Sequence, residues 1–249
     1  MSLDEIEIAN RESYATVGDT RDGVREMRAQ ISFSRHILKW STFFIGMLIM
    51  SLGVVMIIKA ELGASPWDVL HIGLFKQIGL TIGSWSIIVG FFVLFLSSLL
   101  LKRLPQIGAF LNMISVGIFI DMFMMAPFLV TPETFIGKLI MLLLGLLING
   151  YGMGIYISAS VGAGPRDSLM LALTQLSNWK VQYIRTGMEI IVLTIGWLLG
   201  GPVFIGTLIY CVGIGYIAGF ALPQCQRMHD ALKQKLAKTP IVEVNHFSN

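Results

Sequence analysis

Charge is the scarcest thing in this sequence. Asp, Glu, Lys and Arg make up 13% of its 249 residues, against roughly 25% in a soluble domain. That excludes a chain surrounded by water on all sides. Cysteine is nearly absent as well. Cys211 and Cys225 show no C-x-x-C or other metal-ligand spacing, so both are read as helix-packing residues without chemistry. The four histidines are scattered, and there is no Walker loop, H-E-x-x-H or G-x-S-x-G. An ATP-driven pump, an enzyme, a cofactor and a metal centre therefore find no residues to rest on. A net charge of +3 gives no reason to expect nucleic acid.

Apolar length is plentiful instead. Hydrophobic residues reach 55% and the mean hydropathy is +0.74. Several runs approach or exceed the ~18 residues of a membrane span. This predicts an all-α polytopic membrane protein with six spans, at about 40–58, 84–101, 107–128, 136–159, 181–199 and 203–222. Residues 1–36 are expected to form a flexible polar tail and 223–249 a basic one, flanking a membrane domain over 37–222. The first apolar run begins near Ile37, too late for the core of a secretory signal, so the first span is expected to be retained.

Six spans put both tails on one side. Arg25, Arg28, Arg35 and Lys39, then Lys102, Arg103, Arg166, Lys180 and Arg185, and finally Arg227, Lys233, Lys235 and Lys238, would share that side. Only Lys59, Lys76 and Lys138 would face the other. The positive-inside rule then predicts that both termini are cytoplasmic.

The chain also repeats itself. Gly63-Ala64-Ser65-Pro66-Trp67-Asp68 returns ninety-nine positions later as Gly162-Ala163-Gly164-Pro165-Arg166-Asp167. Gly53 aligns with Gly152, Ala60 with Ala159 and Leu70 with Leu169. After a one-residue slip, Gly108 and Gly117 align with Gly206 and Gly215. Two repeats follow, about 40–128 and 134–222. Each holds three spans, an odd number, so the second is expected upside down relative to the first, with the motifs at opposite membrane faces. Inverted repeats of this kind recur in secondary transporters.

Each motif reads as a tight turn into a helix. Proline suits the first helical turn, where its missing N–H costs nothing, and Asp68 or Asp167 there complements the helix dipole. Helices of about twelve residues, over 66–77 and 165–176, would be re-entrant or interfacial. Their exposed N–H groups suit an anionic group; the alternative is a plain turn at the membrane surface. Gly63, Ser65, Pro66, Trp67, Asp68, Gly162, Gly164, Pro165, Arg166 and Asp167 are thus the candidate substrate-binding residues. Trp67 also fits an interfacial belt, and Arg166 a loop anchor.

Among other polar residues, Glu189 lies inside the fifth span, four positions after Arg185, and the two are spaced to pair. Asp121 lies in the third span with no cation near it in sequence. Asp121, Arg185 and Glu189 are candidate coupling groups, since ionisable residues at membrane depth are costly. Asn112 and Asn149 are read as interhelical hydrogen-bonding residues.

The stretches GASPWDVL, GAGPRDSLMLAL and GWLLGGPVFIGT resemble the YczE/YyaS/YitT family of bacterial integral membrane proteins, over about residues 40–222. One departure is Phe204, where the resemblance leads one to expect Gly. It implies a bacterial inner-membrane protein and supplies no substrate. The function expected is a small-solute transporter or permease with its site between the repeats. The alternative is a non-transporting scaffold or regulatory factor that docks a partner through its tails. The bilayer and a small solute are the expected partners, and a homo-oligomer stays open.

Overall fold

A computed structural model describes residues 33–162 and 164–238. The expectations for residues 1–32 and 239–249 lie outside the described residues. The chain is all-α among them. The helices are α1 Phe33–Lys59, α2 Pro66–Ile78, α3 Ile82–Leu101, α4 Ile107–Met124, α5 Phe135–Ser158, α6 Pro165–Ser177, α7 Val181–Leu198 and α8 Ile205–Lys238. Five of them, α1, α3, α4, α5 and α8, are long and apolar enough to cross a membrane. The expected fifth span, α7, has 18 residues but is not among the five. Its Gln182, Tyr183, Arg185 and Glu189 dilute an otherwise apolar stretch.

Two units are distinguished: residues 40–229, and the helix ends before and after them. In the latter, Lys233 Nζ lies 3.9 Å from Asp230 Oδ1. The sixth span was expected to stop at Pro223, yet α8 continues through it to Lys238. Proline removes one helical hydrogen bond, and the Gln, Arg, Met, Ala, Leu and Lys residues that follow are strong helix formers.

Within residues 40–229 the chain breaks recur at the offset of the motif. The helices α1 and α5 end at Lys59 and Ser158. Glu61 and Ser160 then take left-handed φ values of 56° and 51°. Ser65 and Gly164 are the N-caps of two 13-residue helices, which end at Gly79 and Asn178 with φ of 89° and 57°. Thr81 and Lys180 cap the next pair. At ~1.5 Å per residue, α2 and α6 are about 20 Å long, too short to cross a ~30 Å hydrocarbon core.

The packing follows the same offset. Where α1 crosses α5, a Cβ at Gly53 would lie 2.4 Å from the Asn149 backbone nitrogen, and one at Gly152 would lie 2.3 Å from that of Met50. Gly46 meets Tyr156, and Gly145 meets Ile57. Each contact has its counterpart ninety-nine residues on, with the partners exchanged. The short helices are exchanged too: α2 packs on α7 and α6 packs on α3. Gly206 of α8 sits against the Leu62 carbonyl before the first motif. Gly108 of α4 sits against the Val161 carbonyl before the second. Small residues at these crossings let backbones approach, which is how helices gain packing where lipid supplies no hydrophobic drive.

Large apolar side chains point outward from α3, α5 and α8, among them Phe91, Phe92, Leu144 and Phe220. Such a surface suits lipid and not water.

Candidate functional site

The first motif is held by α8. The Ala64 amide donates to Thr207 Oγ1 at 3.2 Å, and the Gly206 amide donates to the Leu62 carbonyl at 2.6 Å. Gly63 has φ of 117°, and a Cβ there would strike Thr207 Oγ1 at 2.6 Å, so only glycine fits. Ser65 then caps α2. Its Oγ accepts from the Asp68 amide at 3.2 Å and donates to Asp68 Oδ2 at 2.5 Å. One turn on, His71 Nδ1 lies 3.6 Å from Asp68 Oδ1, too long for a hydrogen bond. Burial alone would raise the Asp68 carboxyl. His71, Arg166 and Ser65 together hold it below the usual carboxylate range. Burial lowers the His71 imidazole against the opposing pull of Asp68. Both directions favour a carboxylate beside a neutral imidazole.

The second motif meets the first directly. The Arg166 guanidinium lies over the Trp67 ring at 4.9 Å from its centroid, a cation–π distance. The fifth residues of the two motif copies therefore touch each other. This corrects the expectation that the motifs sit at opposite membrane faces: the short helices carry both starts to one place. Asp167, in the first turn of α6, has its carboxyl raised by burial, against the pull of Arg166 and Arg185.

Around this meeting point lies a cavity of about 170 Å³. Its wall includes Ser65, Pro66, Trp67, Asp68, Gly164, Pro165, Arg166 and Asp167, with Arg185 and Glu189 of α7. Arg185 Nε donates to Glu189 Oε1 at 3.2 Å. Eight of the ten candidate binding residues and two of the three candidate coupling residues are thus brought together. Gly63 and Gly162 are not on the wall; they pack behind it, against Thr207 and Gly108. Asp121 is not on the wall either. It accepts from the Gly83 amide at 2.8 Å and from Thr81 Oγ1 at 2.5 Å, closing the start of α3.

The wall holds residues that sequence reasoning missed. His71 had a readable signal, since it follows Asp68 by one helical turn. Tyr156 and Tyr210 had none. Asn149 forms the expected interhelical bond, from Nδ2 to the Met50 carbonyl at 3.3 Å. Asn112 Nδ2 has no partner among the described residues.

The two ends of the cavity are unequally covered. Ser65, Asp68 and His71 are 1–3% exposed. At the other end Arg166 is exposed, and the Arg185 and Glu189 side chains are 54% and 34% exposed.

A family model described as a family of unknown function, DUF6198, matches residues 37–223, which contain both motifs and the whole cavity wall. The chain belongs to that family. It is 44% identical over 190 residues to the uncharacterized membrane protein YczE of Bacillus subtilis, covering 76% of this chain and 87% of that one. It is 32% identical to the uncharacterized protein YyaS of the same organism, over 76% and 95% of the two chains. An uncharacterized protein of Haemophilus influenzae is also 32% identical, over 73% of this chain and 82% of its own. No solved structure matches. Membership, the relatives and the apolar helices together identify an integral membrane protein and bear out the resemblance read from the motifs.

Proposed function

We propose that this protein is a small-solute transporter or permease of the plasma membrane, with its site at the interface of two inverted three-span repeats. The observation that carries the reading is the convergence of both motif copies on one cavity, together with Asp68, Arg166, Asp167, Arg185 and Glu189. Ionisable groups inside an apolar helical unit are costly and mark solute or ion pathways. Paired short helices whose starts point at one place are the usual construction of a transporter site.

The exchanged contacts between α1 and α5, and between the short helices and α3 or α7, support a two-fold relation between the halves. Inversion further requires α7 to cross as well, bringing the five spans to six. In a bundle, Arg185 and Glu189 can face the cavity and leave the apolar remainder of α7 for lipid. Both termini are then cytoplasmic, the side favoured by the Lys and Arg distribution. The better-covered part of the shared cavity, at Ser65, Asp68 and His71, then opens toward the outside, and the more exposed part, at Arg185 and Glu189, toward the cytoplasm. Asp68 and Glu189 are the coupling groups this geometry favours.

Uptake and counterflow in proteoliposomes, screened over small polar and charged solutes, test the reading. Exchange of a solute that is lost in Asp68→Asn supports it. Absence of exchange, together with loss of a co-purifying protein when the tails are removed, would instead favour a scaffold.

A further inference from the structure

The two motif ends of the cavity differ in a way that selects a ligand. At the α2 end the helix start is closed by its own residues, Ser65 and Asp68. At the α6 end Gly164 stands in place of Ser65, and among the described residues the helix start has no side-chain cap hydrogen bond. Pro165 carries no N–H, so the Arg166 and Asp167 amides are left as the free donors of that turn.

Asn112 Oδ1 sits beside Gly164, 3.2 Å from where a Cβ would stand. Asn112 lines the same cavity and is only 7% exposed, and its Nδ2 has no partner among the described residues. A buried donor without an acceptor is destabilising, so a ligand oxygen is the missing element. The Arg166 guanidinium stacks on Trp67 and forms no ion pair among the described residues. The Arg166 guanidinium, the Asn112 amide nitrogen and the backbone amides of the first turn of α6 are thus the donors at this cavity, where the helix dipole also favours an anion, although Asn112 Oδ1 and Asp167 Oδ2 also stand near Gly164.

The rest of the wall limits the anion. Asp167 in the same turn, with Asp68 and Glu189 nearby, disfavours a dianion. Met50, Met113, Met153, Met170 and Met188 form a soft apolar lining that adapts to shape. The volume of about 170 Å³ falls below the ~300–1,000 Å³ of drug-sized sites.

We propose that the cavity binds a small organic monocarboxylate, its carboxylate on Arg166, Asn112 and the start of α6, and its apolar body among the methionines. This rests on reading the cavity as the transport site and names the substrate class of that site.

Trp67 reports binding directly. The full chain with Trp40, Trp85, Trp179 and Trp197 changed to Phe is titrated in detergent with 3-methylbutanoate, 3-methylbutanamide and 3-methylbutylamine. The carboxylate should change Trp67 emission saturably, with the amide and amine weaker by about tenfold or more. Asn112→Ala and Arg166→Gln should each weaken 3-methylbutanoate by about tenfold. Asp167→Asn should tighten it, a gain that a merely structural role would not produce. Saturation by the amine in preference to the acid overturns the monocarboxylate and leaves the transport reading standing. If none of the three binds, the inference also fails. A solute found in the uptake screen would then still keep the transporter, whereas an empty screen would remove both.

Discussion

Gly53 and Gly152 carry no side chain because the opposing backbone already occupies the space a Cβ would need. Gly53→Ala or Gly152→Ala should therefore destabilise the solubilised protein by about 1–3 kcal/mol, seen as a lower thermal midpoint. Gly215→Ala is the control: nothing lies within 4 Å of a Cβ there, and helix propensity favours alanine. Asp121 is a second residue whose role follows from its partners. Asp121→Ala removes the acceptor for the Gly83 amide and the Thr81 hydroxyl, at a cost of about 1–2 kcal/mol. Uptake per folded molecule should be unchanged; a specific loss of uptake would restore a coupling role. In the sequence Asp121 looked like a lone carboxylate because its partners lie about forty residues away. The Arg185–Glu189 pair was readable because a helix fixes that spacing locally. The motif residues were legible because they occur twice. Tyr156 and Tyr210 could not be singled out, since the facing of a tyrosine within a span is decided by partners remote in sequence.

At the scale of elements, α2 and α6 were foreseeable from proline, aspartate and the glycines before them, and their bounds were readable to within a residue or two. The exchange of partners was not, because no local pattern tells a helix which half of the chain it packs against. Nor was the run of α8 past Pro223, where helix-forming neighbours outweigh the missing N–H. The loops after the short helices offer the decisive topological test. Leu80 and Trp179 stand at matching positions and are 60% and 63% exposed. With Cys211 and Cys225 replaced, Leu80→Cys and Trp179→Cys should react with an impermeant thiol reagent from opposite sides of the membrane. Reaction from one side would mean that α7 does not cross in the manner proposed, and the inverted arrangement would fall.

For the molecule as a whole, the unequal covering of the cavity carries a kinetic expectation. Arg166→Cys should react readily from the cytoplasmic side, and Ser65→Cys, at a residue 1% exposed, should resist reagent from either side. During counterflow of a transported solute, Ser65→Cys should become reactive from outside. Constant protection under those conditions would argue against alternation of the two ends.

The crossing of α1 and α5 has one more consequence. Contacts in which residue i meets j while the equivalent of i meets the equivalent of j form the interface of an isologous dimer, here joined covalently through the segment between Met124 and Phe135. The glycine contacts of that crossing involve no residue of the connection, although Lys59 Nζ donates to the Leu129 carbonyl within it at 2.8 Å. In the inverted arrangement proposed above, two separate half-length chains are expected to make the same crossing on meeting, so a form of the molecule divided at that segment is expected to assemble.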